Sequence, residues 1–128
     1  MKRKYLDDIK VNGRWDQITD KREKRWKKQR KKYGFDERET WGLDEAFYEW
    51  LYERLKMYKE IGGRVVNLDY HRFEYEGKEY TQAELIDEML KRLEVSFSEE
   101  YSDWKEDQYK YVHEIEKIWA VVLPAMWW

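Results

Sequence analysis

The sequence predicts a mainly α fold: a small bundle of three main helices, an N-terminal basic helix and a short β-hairpin insert. Two observations carry this. Apolar residues recur at helical spacing over three long stretches, and one short stretch between the first two switches to strand-like alternation. A third concerns the core. Charged residues make up 42% of the chain, yet it also holds 8 Trp, 11 Tyr and 4 Phe, so the charge is read as a solvated shell around an aromatic centre. The 128 residues fit one domain, with residues 1–33 as a basic arm and helix and 34–128 as the helical core.

Taken in order, residues 1–20 are weakly patterned. Tyr5, Leu6, Ile9, Val11 and Trp15 are apolar and Asn12-Gly13 is a turn dipeptide, so a short helix or extended arm followed by a turn is expected. Residues 20–33 read as a helix capped by Thr19 or Asp20 and closed by Gly34, which takes a left-handed conformation without a Cβ penalty. Asp36 and Glu39 have capping-box spacing and predict a short turn before Trp41-Gly42. The main helix follows over about 43–61, with Leu43, Phe47, Trp50, Leu51, Leu55 and Tyr58 as its apolar stripe and Gly62-Gly63 as its stop.

Residues 64–80 change period and read as two short strands around Glu76-Gly77, a hairpin that must pack on helices to be stable. Thr81 and Glu84 form a capping box that opens a helix over about 82–95. Ser98 or Ser102 is expected to cap a last helix over about 99–123, with Trp104, Tyr111, Ile115, Ile118 and Val122 on one face and Pro124 at its end.

The charge is unevenly placed. Residues 1–35 hold 14 Lys/Arg and 5 Asp/Glu, a net of +9; the remainder carries −11. Halves of opposite sign either pair within the fold or present an interaction surface. Between Lys21 and Lys32, nine cations fall within twelve residues, interleaved with Trp26. Phosphate groups are the ligands that such a surface attracts most strongly, and aromatic rings beside it can stack on a base. Three readings stand side by side: a helix whose Trp26 faces the core and whose cations pair with the acidic remainder, a site for a phosphate-bearing ligand, and a dock for an acidic protein. The ligand-site reading takes charge from Lys27, Lys28, Arg30, Arg38 and Arg54, and stacking from Trp26, Tyr33 and Trp41. Arg54 lies on the edge of the apolar stripe, so it is expected to meet an acid or an anionic ligand.

Catalytic signals are sparse. Asp44, Glu45, Glu84, Asp87, Glu88 and Glu114 could converge on Mg²⁺ as in a nucleotide hydrolase. However, Asp44 and Glu84 sit in first helical turns, where the dipole alone favours an acid, and no Glu-x-x-His pair occurs. His71 and His113 read as structural or surface residues. With no cysteine, thiolate chemistry and disulfides are excluded. The apolar run from Ile118 to Trp128 is about half a membrane span. It is expected to be buried within the subunit or in a homo-oligomer interface. The N-terminus lacks an apolar signal segment, so a cytoplasmic protein without cofactor or bound metal is expected.

The block Gly34-Phe35-Asp36, Arg38, Trp41, Leu43-Asp44 and then Arg54-Leu55 resembles a family of small uncharacterised proteins of bacteriophages and prophages. Residues 81–93 and the aromatic C-terminal stretch resemble the family's second and third blocks. Glu53 stands where members often have Pro. The resemblance implies a phage-encoded accessory protein acting in the host cell, and implies no reaction. With the charge asymmetry it leads to an expected non-catalytic binder that sequesters a nucleotide-type immune signal. The alternatives are direct inhibition of a host defence protein, a Mg²⁺-dependent hydrolase, and a nucleic-acid-binding accessory protein.

Overall fold

The computed structural model describes residues 20–127. The arm residues Tyr5, Leu6, Ile9, Val11 and Trp15, the Asn12-Gly13 turn and the Thr19 cap lie outside the described residues. The fold is mainly α with a two-stranded antiparallel hairpin, as the sequence predicts. The chain divides into two compact units, residues 1–53 and 54–128, and the division falls inside the long helix.

In the first unit, α1 spans Asp20–Tyr33 and α2 begins at Leu43, running to Ile61 in the second unit. Gly34 closes α1 at φ 85°, and its N–H donates to the Arg30 carbonyl at 2.9 Å. That conformation costs a side-chain-bearing residue about 1 kcal/mol or more, which is why the helix stops at glycine. Asp36 then caps a 3₁₀ turn over Glu37–Thr40 by accepting from the Arg38 N–H. The buried stripe of α2 is Tyr48, Leu51, Tyr52 and Leu55, at i, i+3, i+4 and i+7. This is a correction to the stripe read from the sequence. Leu43 (68% exposed) and Trp50 (41%) lie on the open side, and Tyr48 and Tyr52 take their place inside. Large amphipathic rings on both sides of a helix make the two registers hard to separate by hydropathy.

In the second unit, β1 (Arg72–Tyr75) pairs with β2 (Lys78–Thr81), with Tyr75 opposite Lys78. Both turn residues, Glu76 and Gly77, have positive φ, the twist that a two-residue hairpin loop demands. Val65, Val66 and Leu68 precede the hairpin as turns and do not join it. Helix α3 spans Gln82–Ser96 and opens with the full Thr81/Glu84 capping box. The hairpin packs on helices: β2 against α3 and β1 against the later helix Ile115–Val122.

The single last helix expected over 99–123 is corrected. Residues 99–105 are not helical, α4 spans Glu106–His113, and α5 spans Ile115–Val122. Neither serine caps it. Ser98 and Ser102 accept from the N–H groups two residues on, Glu100 and Trp104, and Lys105 at the helix start makes no side-chain cap. Trp104 therefore precedes the helix and is 97% exposed.

The break after α4 has a visible cause. Arg92 of α3 donates to the Tyr111 carbonyl at 2.7 Å and to the Glu114 carboxylate at 3.0 Å. A guanidinium on a helix carbonyl competes with the ladder amide four residues on. Leu85, Ile86, Met89, Leu93, Val112, Ile115, Ile118 and Val122 form the core of this unit. A 3₁₀ turn over Leu123–Ala125 carries Pro124 and ends the helical run.

Candidate functional site

Helix α1 has two chemically different sides. Trp26 is buried at 2% exposure, and its indole N–H donates to the Glu37 carboxylate at 3.1 Å. Glu37 also pairs with the Arg25 side chain at 2.5 Å, and its own N–H donates to the Gln29 side chain at 2.9 Å. The 3₁₀ turn is thus pinned along α1 by an acid that serves the ring and the flanking arginine together.

Asp36 is the second pin. It is 5% exposed and accepts from the Arg38 guanidinium through both oxygens, at 2.9 and 2.8 Å, and from Arg30 at 2.7 Å. The Arg38 guanidinium also lies 4.3 Å from the centre of the Trp26 ring, and Trp41 meets that ring edge-on at 5.9 Å. Burial alone would push the Asp36 carboxyl up. The hydrogen bonds from Arg38 and Arg30 outweigh it and hold the group below the usual aspartate value.

The sequence-derived site residues therefore separate. Trp26, Arg30, Arg38 and Trp41 come together around Asp36 and Glu37 as an internal cluster. Trp26 is covered by Arg38 and Trp41, and both arginines are committed to Asp36. Lys27, Lys28 and Tyr33 are exposed. Arg54 is exposed on α2, within the second unit.

At 3.6 residues per turn, Lys21, Lys24, Lys27, Lys28, Lys31 and Lys32 fall in an arc of about 140° centred opposite Trp26. All are exposed, and none forms an ion pair with a described residue. The arginines Arg25 and Arg30 flank Trp26 and hold acids. The division suits the side chains: the planar guanidinium fork makes fixed bidentate contacts, while the ammonium is a hydrated, mobile point charge. Sequence reasoning treated the cations as one class. The 3.6-residue period, with Lys distinguished from Arg, contains the signal that separates them. Phe35, outside the sequence-derived site residues, is 44% exposed with its ring 6.2 Å from that of Tyr33.

Of the acids considered for metal chemistry, Asp44 and Glu45 are exposed in the first turn of α2 and the other four are otherwise engaged. Glu84 caps α3, Asp87 pairs with Lys59, and Glu88 and Glu114 pair with Arg92. Among the described residues no group of three or more His, Asp or Glu side chains could hold a metal ion. His71 meets Tyr70 edge-on, and His113 lies 4.0 Å from the Tyr109 ring and 3.2 Å from Glu116. No described helix is long and apolar enough to cross a membrane. At the C-terminal end Leu123 and Trp127 are 46% and 75% exposed. Compared with known proteins, the chain matches no family model, no curated protein and no solved structure.

Proposed function

We propose that this protein is a non-catalytic binder of phosphate-bearing ligands, which it engages through the lysine face of α1. One observation carries the reading. Arg25 and Arg30 are turned toward Glu37 and Asp36, and the lysines are turned away from Trp26 into solvent. A helix that needed its cations only for internal pairing would not concentrate positive charge on the opposite side, where self-repulsion destabilises it. Joined to the phage-family resemblance, the reading gives a counter-defence factor in the host cytoplasm that sequesters a phosphate-bearing signal. Titration calorimetry against linear and cyclic nucleotides and inorganic polyphosphate tests it. Binding that disappears in Lys24→Gln/Lys28→Gln/Lys31→Gln supports it, and no heat with any phosphate compound overturns it.

A second reading, direct inhibition of a host defence protein, is favoured by Trp104. This indole stands almost fully in water among Glu99, Glu100, Asp103, Glu106 and Asp107. Exposed tryptophans are common anchors of protein interfaces. A stoichiometric partner retained by the native protein and lost with Trp104→Ala would support this reading; retention by the variant would remove it.

A further inference from the structure

We infer that the ligand of the α1 lysine face is a single-stranded nucleic acid, held by phosphate contacts along the helix and by base stacking on Tyr33 and Phe35. The inference rests on the phosphate-binding reading above and narrows it from a compact nucleotide to a polymer.

Shape is the first reason. Sites for small molecules are concave and enclose most of the ligand. The lysine face is the outer side of a single exposed helix and is therefore convex. Lys21, Lys24, Lys28 and Lys31 are spaced three, four and three residues apart, so they run about 15 Å along the helix axis. Phosphates on one strand repeat about every 3.4 Å along a duplex axis, so this length faces about four of them. A mononucleotide offers one such cluster of charge and leaves most of the row unmatched.

The second reason is aromatic. Tyr33 and Phe35 follow at the end of the helix, 58% and 44% exposed, with ring centres 6.2 Å apart and planes tilted by 39°. Gly34 at φ 85° turns the chain between them. Tyr33, seven residues after Trp26, lies on the Trp26 side of α1, and Lys32, at the edge of the lysine arc, holds its ammonium 5.1 Å from the Tyr33 ring centre, so this one cation links the arc to the aromatic pair. Rings beside a cationic track serve as stacking platforms for unpaired bases. In a duplex those base faces are already occupied by their neighbours, so the pair discriminates in favour of single strands.

Fluorescence anisotropy at fixed salt tests the inference. The probes are a labelled fifteen-nucleotide thymidine strand, the same length as duplex, inorganic polyphosphate and thymidine monophosphate as competitors. The expected order is single strand first, then duplex and polyphosphate, with the monophosphate weakest. Tyr33→Ala/Phe35→Ala is expected to weaken the single strand by about 5- to 150-fold per stacked base and to leave polyphosphate unchanged. Tyr33→Trp, which keeps an aromatic face at this position, is expected to retain single-strand binding. Both positions are exposed, so a folding defect is not the expected cause of any loss, and an unchanged circular dichroism spectrum checks it. Duplex binding equal to single-strand binding, or an aromatic variant with no effect, overturns the inference while leaving the phosphate reading intact. Failure of every probe to bind overturns both.

Discussion

The indole N–H of Trp26 donates to the Glu37 carboxylate at 3.1 Å, across the turn that follows α1. The bond fixes which side of the basic helix faces inward, and so which side is left to the lysines. Replacing Glu37 by Ala removes the acceptor of a buried indole, the partner of Arg25 and a group placed by Gln29. A loss of about 1–3 kcal/mol is expected, the usual cost of leaving a buried donor unmet. Urea denaturation measures it; a change within about 0.5 kcal/mol would show that Glu37 does not hold the turn.

Asp36 makes the stability of the same cluster depend on pH. Its folded pKa lies below the ordinary aspartate value. The carboxylate is therefore the form that folding stabilises. Its contribution is complete above the unfolded pKa of about 3.9 and is lost as the pH falls through the lower folded value. Stability from this group should be flat between about pH 7 and 5 and decline below about pH 4. Asp36→Asn should remove about 2 kcal/mol at neutral pH and flatten the acid limb, as read from urea midpoints across that range. An acid limb equally steep in the variant would assign the loss to other carboxylates.

Arg92 organises the second unit as Asp36 organises the first. Its side chain, 12% exposed, holds Glu88, Glu114 and the Tyr111 carbonyl, and its guanidinium lies 4.4 Å from the Tyr111 ring centre. Arg92→Lys keeps the charge and loses the fork, and a cost of about 1.5–3 kcal/mol is expected. The amide exchange of Ile115 should slow at the same time, because the Tyr111 carbonyl returns to the ladder. Unchanged protection at Ile115 would mean that the break at Glu114 has another origin.

Glu76 occupies a left-handed position, φ 50°, in the two-residue turn between β1 and β2. Asparagine tolerates that conformation better and forms the favoured pair with Gly77. Glu76→Asn should therefore stabilise the second unit by about 0.5–1 kcal/mol in thermal or urea unfolding. A destabilised variant would show that the Glu76 carboxylate is needed where it is.

The parts legible in the sequence were those set by local chemistry. Gly34, Gly62, the Glu76-Gly77 turn and the Thr81/Glu84 box each mark a boundary through their own backbone or capping preference, and the elements begin and end there. The last helix was not legible. A serine hydroxyl that accepts from the N–H two residues on looks the same in a turn as in a cap, and Ser98 and Ser102 serve turns. The break at Glu114 depends on Arg92, more than twenty positions earlier, which no local window contains. At the candidate site, the basic segment and its helix were readable. The fate of each cation was not, because it depends on Asp36 and Glu37 folding back along α1.

The salt dependence of binding to the α1 lysine face tests the account most directly. A labelled thymidine strand would be titrated at several salt concentrations with the native protein and with Lys24→Gln/Lys28→Gln/Lys31→Gln. Each phosphate contact on a single strand contributes about −0.7 to the slope of log K against log salt. Loss of three lysines should weaken binding and make the slope shallower by about 2. An affinity and slope unchanged in the variant would contradict the assignment of the lysine face as the binding surface.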